Sequence, residues 1–123
     1  VELHYLDFDS SDEESGRGSF DAMASVVPDR VPLLLGEVTG VLSWAAAAFG
    51  PPGGLEEDAG AWDAQVQAVW EPGDRPVAVW WDTASGVVSV PALTGAGRLV
   101  LTLTVAGSPA FCAALREAFG LER

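Results

Sequence analysis

The sequence predicts an α+β fold: a single, mainly antiparallel sheet with two amphipathic helices packed on one face. Three observations carry that expectation. Short apolar–polar alternations recur along the chain, separated by turn residues, which is the two-residue period of strands with one face buried. Two segments instead repeat their apolar residues every three or four positions, the period of a helix with a buried stripe. Each of these two segments runs into a glycine, the usual helix stop. The expected order is β-β-α-β-β-β-β-α. A chain of 123 residues builds one modest core, so residues 1–123 are read as one domain.

The elements follow in chain order. Residues 3 to 9 alternate, with His4, Leu6 and Phe8 on one side and Leu3, Tyr5, Asp7 and Asp9 on the other. This predicts a first strand. Residues 10 to 18 contain no apolar side chain and read as an exposed loop. Residues 19 to 26 alternate again through Phe20, Ala22, Ala24 and Val26, which suggests an antiparallel hairpin with the first strand. A helix is expected next, with Asp29 as N-cap and Pro32 in its first turn. Its apolar stripe is Val31, Leu34, Leu35, Val38, Leu42, Ala45 and Phe49, and Gly50-Pro51-Pro52 ends it. Gly36 and Gly40 form a GxxxG inside this helix, read as close approach to the sheet or as simple tolerance.

Residues 50 to 60 read as a Pro/Gly-rich acidic loop. Alternation returns at 62 to 70, placing Trp62, Ala64, Val66, Ala68 and Trp70 on one face and Asp63, Gln65 and Gln67 on the other. Pro72-Gly73-Asp74 is turn chemistry, followed by expected strands at 77 to 82 and 87 to 90. Residues 98 to 105 are the best central strand, with Leu99, Leu101, Leu103 and Val105 facing the core. A last helix is capped by Ser108, has Pro109 at its first position, and buries Phe111, Cys112, Leu115 and Phe119. Gly120 and Leu121 fit a Schellman ending.

Charge excludes more than it identifies. Eighteen acidic residues face six basic ones, all arginine, for a formal charge of -12. Binding to nucleic acid is driven by Lys and Arg releasing counterions, so neither a nucleic-acid partner nor adhesion to an anionic membrane is expected. The absence of lysine, isoleucine and asparagine points to a GC-rich bacterial genome, with salt adaptation as the other explanation. No membrane span and no basic-then-apolar export signal are read, so a cytoplasmic location is expected. Oligomeric state is not legible.

The acidic N-terminal segment is the first site candidate. Asp7 and Asp9 on one strand would project about 6.6 Å apart from the same face. Asp12, Glu13 and Glu14 follow, and Glu56, Glu57 and Asp58 form a second acidic cluster. Hard cations favour gathered carboxylates. The spacing is not that of a calcium loop, however, because its sixth position is Asp12 and its twelfth is Gly18. No metal and no cofactor are therefore expected. His4 reads as a structural histidine facing the core or its rim, and Cys112 as an inert buried thiol.

Trp62, Trp70, Trp80 and Trp81 are the alternative candidates. Trp62 and Trp70 share a strand face with small residues between them, which suits a core or an aromatic groove. Trp80 and Trp81 are adjacent and must point to opposite faces of a strand. The glycines form no phosphate loop, and nothing in the spacing nominates a catalytic pair. The expected function is that of a small acidic, non-enzymatic interaction protein, an immunity- or antitoxin-like inhibitor or an adaptor, binding a basic partner through the acidic clusters. The alternative is a small-molecule or divalent-metal-binding domain with a tryptophan-lined site.

Overall fold

The computed structural model describes residues 3–12, 17–52, 62–93 and 95–121. The elements are β1 (Phe8–Asp12), β2 (Gly18–Val26), α1 (Val31–Phe49), β3 (Trp62–Glu71), β4 (Arg75–Val77), β5 (Trp80–Trp81), β6 (Val88–Ser89), β7 (Arg98–Gly107) and α2 (Pro109–Phe119). Five strands form an antiparallel sheet in the order β1-β2-β7-β3-β4, and β5-β6 make a small second sheet. The fold is thus α+β with two helices, as the periodicity predicts.

The last strand in the chain sits at the centre of the large sheet. β7 pairs with β2 from Gly18↔Gly107 to Val26↔Leu99, and with β3 from Trp62↔Gly107 to Glu71↔Arg98. Its alternation is strict because both neighbours fix its register. Leu99, Leu101, Leu103 and Val105 are fully buried. Phe20, Ala22, Ala24 and Val26 of β2, with Trp62, Ala68 and Trp70 of β3, complete one apolar face. The helices cover that face; among the described residues, no helix lies on the other.

α1 contributes Val31, Leu34, Val38, Val41, Leu42 and Ala45 to the core, while Leu35 and Phe49 are only half-buried. Its start differs from expectation. Pro28–Arg30 form a 3-10 turn, closed by the Arg30 amide donating to the Val27 carbonyl at 2.9 Å, so Asp29 is not the N-cap. Gly50 ends the helix with φ 83°, its amide donating to Ala46 O at 3.0 Å. With the preceding turn, residues Pro28–Phe49 are long and apolar enough to cross a membrane by length and composition, at a mean hydropathy of 1.5. A core helix meets the same measure, and α1 has a stripe buried against the sheet.

The GxxxG of α1 does not approach the sheet. A Cβ added at Gly36 or Gly40 would meet nothing within 4 Å. α2 matches its sequence signals closely. Ser108 Oγ accepts the Phe111 amide at 3.1 Å, and Gly120 is left-handed at φ 64°. The Leu121 amide closes the Schellman turn on Arg116 O at 2.9 Å.

Two expected strands are placed differently. Residues 4 to 6 do not join a strand, because Glu37 of α1 takes their amides: His4 N donates to Oε2 at 2.7 Å, and Tyr5 N and Leu6 N to Oε1 at 3.0 and 3.1 Å. The strand begins at Phe8 instead and runs into the segment expected as loop. The strand expected at 77 to 82 is split. β4 stops at Val77, and β5 leaves for the second sheet, pairing Trp80↔Ser89 and Trp81↔Val88.

Candidate functional site

On the face of the large sheet opposite the helices, register brings three of the described acidic side chains close together. Register places Asp9 of β1 opposite Asp21 of β2, Asp21 opposite Thr104 of β7, and Thr104 opposite Gln65 of β3. This is one transverse row across four strands. The adjacent row holds Ser11, Ser19, Ala106 and Asp63. Asp9 and Asp21 are exposed and Asp63 is half-buried. Thr104 Oγ1 donates to Asp21 Oδ1 at 2.7 Å, which fixes that carboxylate on the face. Three carboxylates thus share one end of the sheet. At the far end Arg98 is turned to the backbone, donating Nε to Ser25 Oγ at 2.8 Å and Nη2 to Ser25 O at 2.7 Å.

The acidic residues named from sequence divide. Asp9 lies within this face. Asp7 is exposed but precedes β1, so the two do not form a paired projection along one strand. Asp12 ends β1 opposite Gly18. Glu13, Glu14, Glu56, Glu57 and Asp58 lie outside the described residues. Sequence reading missed Asp21 as a site residue. The signal was present: Asp21 falls on the polar side of the alternation through Phe20 and Ala22, and a hairpin brings that side beside Asp9. Among the described residues, no three His, Cys, Asp or Glu side chains gather as a metal site would require.

The four candidate tryptophans separate. Trp62 is buried in an aromatic cluster, stacked on Phe111 and tilted against Trp81 at 6.2 Å. Its Nε1 donates to Gly50 O at 3.0 Å. Trp70 is buried at the other end of β3 and forms one wall of an open cavity of about 410 Å³ with Arg75, Val77, Pro91 and Leu93. Trp80 is 56% exposed, while Trp81 is half-buried, which matches the opposite-face expectation for adjacent strand residues.

His4 is exposed rather than turned to the core, because its segment is held over α1 by Glu37. That segment and α1 enclose a second open cavity of about 390 Å³, lined by Leu3, Tyr5, Leu33, Gly36 and Gly40. Cys112 is buried, its Sγ 3.6 Å from Gly107 O. Asp82 is structural: its Oδ1 accepts the Ala84 amide at 3.0 Å and holds the turn between β5 and β6.

No protein-family model matches this chain, and no curated protein or solved structure matches it either. What the acidic face does must therefore follow from its own chemistry.

Proposed function

We propose that this chain is a small non-catalytic interaction protein, an inhibitor or adaptor that binds a basic partner through its acidic surface in the cytoplasm. The observation that carries this reading is the row Asp9–Asp21 with Asp63 beside it on an uncovered sheet face, in a chain of formal charge -12. Such a surface attracts a basic patch over a Debye length of roughly 8–10 Å and speeds the encounter. The burial of Cys112, the sole thiol, also favours a binding role over nucleophilic chemistry.

The test is recovery of partners at low and high salt, followed by reconstitution with the purified partner. An Asp9→Asn/Asp21→Asn/Asp63→Asn protein should bind about tenfold more weakly and with a shallower salt dependence. A partner that binds the triple variant unchanged, at any salt, would refute the acidic face as the contact.

A second reading, small-molecule binding, draws on the Trp70 cavity with Arg75 at its rim. It predicts that a bound metabolite quenches tryptophan emission in the native protein, and that Trp70→Phe removes this response.

A further inference from the structure

β3 is paired along its inner side over its whole length, but its outer side meets β4 only at Ala68↔Val77, Val69↔Pro76 and Trp70↔Arg75. Beyond Val77 the chain leaves for the second sheet. Among the described residues, no strand lies beside the outer edge of residues 62 to 67. That length matches a typical strand of about 5–6 residues.

One hydrogen bond shows which residues face outward. The Ala64 amide donates to Asp63 Oδ1 at 2.9 Å. In an antiparallel ladder alternate residues direct both N–H and C=O to the same side. Trp62 and Val66 therefore share the outward orientation of Ala64. Pro76, which has no N–H, sits opposite Val69, where the same alternation asks for no donor.

The β4 edge is blunted by Pro76. Residues 62 to 67 contain neither proline nor glycine. Two hollows of about 390 Å³ border this stretch, the first on the sheet face over β3 and β7 and the second at the outer edge. One is lined by Asp63, Gln65 and Thr104, and the other, where β4 turns away, by Val66, Pro76 and Val79. β3 and the turn after it carry three carboxylates, Asp63, Glu71 and Asp74, against one arginine, Arg75 of β4. Pairing with a second copy would set two such segments together and is opposed by charge, whereas a basic strand is attracted.

We propose that the outer edge of β3, from Asp63 to Gln67, docks an extended basic segment of a partner protein as an added strand. The inference rests on the basic-partner reading above and says where and how that partner is held. A carbonyl of the incoming strand takes the Ala64 amide, and the displaced Asp63 carboxylate turns to an arginine or lysine of the partner. An apolar side chain of the same strand enters the hollow at Val66 and Val79.

The probe is a nine-residue peptide alternating Arg and Val, compared with the same peptide N-methylated at its central amides, at about 150 mM salt. The unmodified peptide should bind about tenfold more tightly, since only it can donate to the edge. Hydrogen exchange of the Ala64 and Val66 amides should slow about tenfold when it binds, with β1 amides unchanged. Val66→Pro removes one outward donor and should abolish the difference between the peptides. If that variant does not fold, the exchange data on the native protein still decide. Equal binding of both peptides with no change in exchange would overturn edge docking and leave the electrostatic reading standing. No binding of either peptide, even at low salt, would overturn both. Protection of Ala64 and Val66 in a dimer formed without peptide would overturn the choice of occupant.

Discussion

Trp62 lies flat on Phe111, their ring centroids 5.8 Å apart and their planes only 5° from parallel. This contact joins the first residue of β3 to the first turn of α2, and Trp44 and Phe49 of α1 close round the same Phe111 ring at 5.9 and 5.2 Å. One aromatic cluster therefore ties both helices to the start of β3.

The central strand sets the core. Leu103 is fully buried and lies between Ala22 and Val66 in register. Leu103→Ala should cost about 2–5 kcal/mol in a denaturant titration, the range for a truncated core leucine. A loss under about 0.5 kcal/mol would mean that the strand presents its other face to the helices.

Glu37 should prove unusually important for a partly exposed carboxylate. Its two oxygens accept the amides of His4, Tyr5 and Leu6, which have no ladder partner in their place. Glu37→Ala leaves these donors unpaired and should destabilise the protein by about 1–3 kcal/mol. Amide resonances of residues 4 to 6 should lose their dispersion. Glu37→Gln, which keeps one acceptor, should fall between the two. Unchanged amide shifts in the alanine variant would show that the segment is held by other contacts.

The same interaction explains where the sequence was misleading. Residues 3 to 9 alternate as well as residues 19 to 26 do, yet only the latter form a strand along their whole length. The partner that displaces the first pairing is more than thirty residues away, beyond the reach of a local period. β1 itself, Phe8–Asp12, is polar and at an edge, so no buried face marks it. β7 was legible because neighbours on both sides and a covered face impose a strict alternation. The division between Val77 and Trp80 was not legible: both fragments continue one apolar pattern, and only the assembled sheet shows where the chain departs. Asp9 is legible as an acidic strand residue, but its pairing with Asp21 depends on hairpin register, and the extent of β3–β4 pairing depends on where β4 ends.

Glycine substitutions should divide sharply by position. At Gly97 a Cβ would collide with the Trp70 ring and approach Glu71 O at 2.5 Å, and at Gly86 (φ 83°) it would lie 2.6 Å from Ser43 N. Gly97→Ala and Gly86→Ala should each lose about 1–3 kcal/mol or more through overpacking. Gly36 and Gly40 meet nothing, so alanine there should stabilise α1 by about 0.5–1 kcal/mol each. Thermal melts of the four variants test the contrast. Destabilisation by Gly36→Ala or Gly40→Ala, combined with a change in sedimentation, would reveal a helix-pairing contact at this face.

Charge gives the final prediction. Asp9 and Asp21 are direct cross-strand partners, and among the described residues Asp21 alone of the two receives a hydrogen bond, from Thr104. Like charges opposite each other on a sheet are unfavourable, so Asp9→Asn should raise stability by about 0.2–1 kcal/mol. The gain should shrink in salt, because the same repulsion is screened over roughly 8–10 Å. Monovalent salt should therefore stabilise the native protein more than the variant. Ca²⁺ and Mg²⁺ should do no more than monovalent salt of equal ionic strength, since the two carboxylates repel without converging on a shared centre with a third ligand among the described residues. A ligand that binds only the folded state raises its melting temperature by mass action. A calcium-specific rise that Asp9→Asn abolishes would accordingly identify this pair as part of a cation site, and would displace the reading of the face as a surface held open for a basic partner.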